Sequence, residues 1–131
     1  DAIVTGDPLV GNTAQFTLAA GDNNLTLDAA ALQAGSVGDF IWIDNNTANN
    51  IQDGGETGLA GVVARLYNSA DVLLATAPAT GASGAYSFGG LAAGTYYITF
   101  TLPNGYTFVT QDGGGDTVDS DANATTGKTA N

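Results

Sequence analysis

The sequence predicts an all-β domain, a sandwich of short strands, and three observations carry that prediction. Apolar and polar residues alternate with period two through most of the chain, no long stretch repeats with helical period, and Gly, Asn, Asp, Ser and Pro punctuate the alternating runs. At 131 residues and 44% hydrophobic content, the chain has the length and apolar fraction of one globular domain with an extension.

In chain order the first two alternating runs are residues 14–19 and 25–30. Residues 36–43 follow, and then 61–68, which the turn Asn68-Ser69-Ala70-Asp71 joins to 71–76. A glycine-bounded turn, Gly81-Ala82-Ser83-Gly84, leads into 85–88, and Leu91-Ala92-Ala93-Gly94 leads into 94–102. That last run places Tyr96, Ile98, Phe100 and Leu102 on one face and Tyr97, Thr99 and Thr101 on the other, as a strand buried on one side should. Pro103-Asn104-Gly105 then turns the chain into 106–110. Short strands at this spacing predict a β-sandwich.

Charge narrows the function. Arg65 and Lys128 are the only basic residues against thirteen acids, a net charge of −11, so the surface repels phosphate backbones and anionic lipid heads. Nucleic acid and membrane surfaces are therefore not expected partners, and no apolar run is long enough for a membrane span. The chain has no Cys, Met or His, which removes disulfides, thiol nucleophiles, imidazole bases and the nitrogen or sulfur ligands of zinc and copper. Starting at Asp1 without Met, it reads as a processed, secreted chain. So many carboxylates also weaken a compact state unless a cation sits among them.

Two stretches concentrate oxygen ligands. The first, Asp44 to Glu56, follows the apolar run Phe40-Ile41-Trp42-Ile43. Calcium takes six to eight oxygens from carboxylates, amides and main-chain carbonyls, and an EF-hand-type loop supplies them at positions one, three, five, seven, nine and twelve. Asp44 fits position one and Asn46 position three; Asn49 or Asn50 fits five, the Ile51 carbonyl seven, Asp53 nine and Glu56 twelve, provided one residue bulges out. The usual glycine at the sharp bend is missing, and Asn is the residue that best tolerates left-handed backbone in its place. The second stretch, residues 111–123, holds Asp112, Asp116, Asp119 and Asp121 among three glycines that let the backbone curl. Asp39 stands ready to join either cluster. A solvated polar loop is the plain alternative for both.

The motifs together resemble a known family. Gly38-Asp39-Phe40-Ile41-Trp42-Ile43-Asp44, then Ile51-Gln52-Asp53-Gly54-Gly55-Glu56-Thr57-Gly58-Leu59-Ala60-Gly61-Val62, is similar to the opening of an SdrD B-like repeat, a relative of the Cna-B domains of bacterial surface adhesins. Gly84-Ala85-Tyr86-Ser87-Phe88, Leu91 to Tyr96, Leu102 to Phe108 and Asp119-Ser120-Asp121 follow in the family's order, so the resemblance covers about residues 36–131. It implies an extracellular, calcium-binding, Greek-key immunoglobulin-like sandwich that serves as a stalk or spacer. By position, Asp44, Asn46, Asp53 and Glu56 match the family's first calcium loop, and Asp39, Asp119 and Asp121 match acids near its other ions. Some Cna-B relatives carry a Lys–Asn isopeptide bond, but the single lysine here, Lys128, lies outside the first strand, and no such bond is expected.

The order of the strands departs from the family. There the segment after Thr-Gly-Lys-Thr-Ala-Asn continues into a final strand pair, and here a segment of that type, Phe16-Thr17-Leu18 through Leu25-Thr26-Leu27 to Leu32, stands at the front. Three explanations compete: residues 14–32 complete the sandwich of the next subunit, they fold back as a circular permutation, or the chain is a piece of a longer repeat protein cut out of phase. Only Gln33, Ala34 and Gly35 join this segment to the first strand, and end-to-end continuity is easier than a tight reversal there. The expectation is therefore a donor extension at 1–34 and a sandwich at 35–131, with Phe16, Leu18, Leu25 and Leu27 filling pockets of a neighbour. Such a contact does not close on itself and generates head-to-tail filaments of identical subunits.

The expected function is a non-enzymatic, calcium-bound subunit of a pilus-like surface fibre with no small-molecule substrate. The alternative is a monomeric, calcium-stiffened stalk module. Two rivals rank lower: a carbohydrate site on Trp42, Tyr67 or Tyr97, whose rings are better read as core or cross-strand partners, and a glycosidase using Glu56, whose carboxylate is better read as an ion ligand.

Overall fold

The computed structural model describes residues 15, 17–23, 29, 31, 33–45, 49–112, 114–115 and 117–129. The chain divides into two compact units, Asp1–Leu32 and Gln33–Asn131. In the first unit a turn at Ala20 and Gly21 is closed by the Asp22 N–H on the Ala19 carbonyl (3.1 Å), and the Asp22 carboxylate accepts the Ala19 N–H (2.8 Å). Thr17 to Ala19 form no strand, and Leu18 is 53% exposed. Phe16, Leu25, Leu27 and residues 1–12 lie outside the described residues.

The second unit is all-β, with seven strands: β1 Gly35–Phe40, β2 Trp42–Ile43, β3 Thr57–Gly58, β4 Val63–Asn68, β5 Leu73–Thr76, β6 Ala85–Leu91 and β7 Tyr96–Thr101. Every pairing is antiparallel and falls into three groups, β1–β6, β2–β3 and β5–β4–β7. No helix among the described residues is long and apolar enough to cross a membrane. The sheets form a sandwich because alternate residues of β4 and β7 point one way: Val62, Ala64, Leu66, Ile98 and Phe100 are buried and meet Phe88 of β6, Leu59, Ala77 and Ala122. Burying each of the large members contributes roughly 1.5–3 kcal/mol.

The segment Gly127 to Thr129 extends the β5–β4–β7 sheet beside β7. Phe100 donates its N–H to the Gly127 carbonyl (2.9 Å), Thr129 to that of Ile98 (2.9 Å), and Ile98 to the Thr129 hydroxyl (3.1 Å). On the outer face, Tyr67 and Tyr97 are register partners with rings stacked at 5.0 Å and 4°, and the Lys128 ammonium sits 3.7 Å from the Tyr97 ring centroid. Tyr97 is therefore buried although it faces away from the core. Burial, followed by its hydrogen bond to Asp71 (2.8 Å), pushes its phenol above the ordinary value.

Two expected strands of the second unit are altered. The run 36–43 breaks at Ile41, which turns its N–H to Gly84 (2.9 Å) and its carbonyl to Leu59 (2.8 Å) instead of staying in the ladder. This crossing needs glycine at Gly84, because a Cβ there would collide with the Ile41 carbonyl. The run 106–110 forms no strand; Phe108 packs on the core while the Thr110 N–H bonds the Asn50 side chain (3.2 Å), so side-chain anchoring replaces a ladder.

Thr80 ties the approach to β4. Its hydroxyl donates to the Leu59 carbonyl (2.6 Å) and accepts the Val62 N–H (3.0 Å), and its own main chain bonds Gly61 and Val62. Because Thr80 is buried, each of these groups depends on it for a partner.

Candidate metal centre

The end of β2 delivers Asp44 to the loop that closes at β3. One Asp44 oxygen accepts the Asn50 N–H (2.7 Å), and Asn50 takes the left-handed backbone, φ 66°, that the missing glycine would have supplied. Asn49 accepts from Ile51 (3.0 Å) and donates to Asp53 (2.9 Å). The Glu56 carboxylate accepts the Asp53 N–H (2.8 Å), and Glu56 returns its own N–H to the Asp53 carbonyl (3.3 Å). The loop thus holds itself by carboxylates accepting main-chain N–H groups, the local bonding that Asp and Asn favour.

The second acidic stretch lies against the first. Ile51 bridges Asp119 in an antiparallel pair, and Gln52 donates to the Val118 carbonyl. Gln111 pairs with Ser120, Asp112 donates to the Ser120 carbonyl (3.1 Å) with φ 54°, and one Asp119 oxygen accepts the Gly114 N–H (3.0 Å). Two stretches separated by more than fifty residues are in this way joined at Ile51 and Asp119.

Three carboxylates here are half satisfied. Asp44, Glu56 and Asp119 each use one oxygen for a main-chain N–H, while Asp44 Oδ1, Glu56 Oε1 and Asp119 Oδ1 are buried without a hydrogen-bond partner. A buried acceptor without a donor costs about 1–3 kcal/mol, and more for a charged one, so a cation is the chemistry these oxygens fit. Against that, among the described residues no three Asp, Glu, His or Cys side chains converge at metal-ligating spacing. Asn46 and Asp116 lie outside the described residues. Calcium also draws on amides and main-chain carbonyls, such as that of Ile51, besides these side chains.

Asp39 sits on a strand, outside both acidic stretches. Asp39, exposed on β1, is the register partner of Tyr86 on β6. Burial, then Asp39, then Asp121 push the Tyr86 phenol up to about 12. Asp112 is exposed.

Tyr86, Asp121 and Thr129 stand where two clefts meet. One, of about 330 Å³, is lined by Phe40, Trp42, Leu102, Tyr106 and Phe108 among others, and the other, of about 690 Å³, by Val37, Leu66, Leu91, Tyr96 and Ile98 among others. Together they make a seam that runs from β1, paired only with β6 among the described residues, to Thr129, with Asp39, Asp44, Asp119 and Asp121 among its apolar lining residues. The indole N–H of Trp42, which lines the first cleft, is also buried and unbonded. Sequence reasoning did not single out Trp42 or Tyr86 for the seam, nor Thr80 for its bonds, because burial and long-range contacts mark them and local pattern does not.

The family model for the SdrD B-like domain matches residues 35–131. Over 111 residues, 82% of this chain and 8% of the relative, the chain is 38% identical to serine-aspartate repeat-containing protein D of Staphylococcus aureus strain Newman. Over 107 residues, 80% of this chain and 6% of the relative, it is 38% identical to serine-aspartate repeat-containing protein F of Staphylococcus epidermidis. The chain therefore spans less than a tenth of the length of these relatives.

Proposed function

Since this chain belongs to the SdrD B-like domain family, we propose that it is an extracellular structural subunit, stiffened by calcium and joined to identical subunits by a donated strand segment. The observation that carries the reading is the seam from β1 to Thr129, with the apolar side chains that line it. A strand added there finds on β1 main-chain groups that no described strand pairs, and pockets for alternate side chains, which is how a β-sheet accepts an extended segment. Residues 14–32 have the matching pattern, with Phe16, Leu18, Leu25 and Leu27 as the apolar set. Each side chain that leaves water adds roughly 1.5–3 kcal/mol. Calcium is taken by Asp44, Glu56 and Asp119 with Asn46, Asn50, Asp53 and the Ile51 carbonyl. It supplies the counter-charge for the orphaned oxygens and couples the two acidic stretches, so folding and assembly strengthen with the ion. The carboxylates act as ligands and not as catalytic groups.

The second reading is a stalk or spacer module in a longer surface protein. It is favoured by the small share of the repeat-containing relatives that this chain matches. Electron microscopy and light scattering on the purified chain, in chelator and then in millimolar calcium, separate the two. Filaments that appear with calcium support the fibre. Monodisperse subunits in both media overturn it and leave the stalk module.

A further inference from the structure

Among the described residues, three consecutive large apolar side chains stand about half exposed on and beside β5: Val72, Leu73 and Leu74, at 52, 49 and 48%. Among the described strands β5 pairs with β4 alone, at the edge of its sheet. The register steps from Ala75 to Leu73, so Leu74 bulges without a partner on β4. A bulge blunts an edge against a continuous ladder, yet here it also raises the two leucines into a ridge.

The ridge is electrically unlike the rest of the molecule. The chain carries −11 overall, but no charged residue occurs from Val72 through Gln111. Asp71, the nearest acid, is held on the Tyr97 hydroxyl at 2.8 Å, and the neighbouring position across the ladder from Thr76 is the basic Arg65. Two copies of so acidic a chain repel wherever their acids meet, and the ridge is a face on which they do not.

We infer that the β5 ridge is a homotypic contact through which copies of this chain associate side by side. A two-fold axis near Leu74 sets Leu74 against Leu74 and places each Asp71 opposite Ala77 of the other copy. The two Asp71 residues then stand about six residues apart, roughly 20 Å at the rise of a strand, beyond the ~8 Å screening length of physiological salt. Three half-exposed side chains offer on the order of 200 Å² per copy, well under the ~800 Å² per partner of a stable pair. The contact is accordingly a weak, transient one between free subunits, of the kind that a disulfide traps. It is independent of the donated strand, because β5 and the segment Gly127 to Thr129 occupy opposite edges of the sheet.

Because the native chain has no cysteine, one substitution reports the contact. Leu74→Cys in the full chain, oxidised by dissolved oxygen with a copper catalyst, is expected to form disulfide dimers about tenfold faster than Thr125→Cys, an exposed control. Adding Val72→Glu to the Leu74→Cys chain should return it to the control rate. Equal rates for the two single variants, or a rate that Val72→Glu leaves unchanged, overturn the inference. Filament formation is followed separately by light scattering, so the donated strand fails or stands on its own reading.

Discussion

Replacing Asp44 by Asn should act in opposite directions with and without calcium. One Asp44 oxygen accepts the Asn50 N–H at 2.7 Å, and the other is buried without a bond. In chelator the amide oxygen keeps the first bond while the substitution removes a charge that lacks a counter-charge. The ion-free fold then gains on the order of 0.5–1 kcal/mol, a figure reduced because Asp44 is only partly buried. In calcium the neutral amide is the poorer ligand, and a site weakened a hundredfold forfeits up to about 2.7 kcal/mol of ligand stabilisation. At about 4 °C per kcal/mol for a domain of this size, the midpoint should rise by roughly 2–4 °C in chelator and, with the ion-free gain set against the lost ligand stabilisation, fall by roughly 7–9 °C in saturating calcium. Thermal unfolding followed by the fluorescence of Trp42, the single tryptophan, measures both. A variant destabilised equally in the two media would refute the reasoning, because Asp44 would then be a loop-closing acceptor and not an ion ligand.

Thr80→Val removes the hydroxyl that serves both Leu59 and Val62, so denaturant unfolding should show a loss of about 2–4 kcal/mol, and Thr80→Ser a smaller one. Leu66→Ala, at a fully buried position, should cost about 2–5 kcal/mol by the same measurement. The Tyr86 phenol lies at about 12 in the fold, above its ordinary value of 10.0, so the fold favours its neutral form. That stabilisation is complete below pH 10 and is lost as pH rises through 12; Tyr86→Phe should flatten the decline over this window in a pH series of unfolding midpoints.

Much of the sandwich was legible because period two is a local signal. The face assigned to Ile98 and Phe100 is buried, and the turn at Asn68 to Asp71 forms with Asp71 in left-handed backbone, φ 60°. What local pattern does not encode is where a chain crosses another. Ile41 leaves its ladder because Gly84 admits its carbonyl, and residues 106–110 stay irregular because Thr110 is claimed by Asn50 from sixty residues away. Tyr97, assigned to the open face, is covered by Tyr67 and Lys128, a long-range pairing. The two acidic stretches were likewise readable one at a time, whereas their junction at Ile51 and Asp119 belongs to the fold. The orphaned oxygens of Asp44, Glu56 and Asp119 appear only once burial is known.

The two basic residues are also the only places where a protease of trypsin-like specificity can cut. Arg65 lies in the middle of β4, bonded through its guanidinium to Thr101 (3.0 Å), and Lys128 is bridged to Thr99 with its ammonium on Tyr97. Such enzymes need several residues in a free, extended strand, and neither site offers them while the sheet is intact. The intact unit should therefore be nearly invisible to this class of protease, and a single cleavage would count an opening of the β5–β4–β7 sheet.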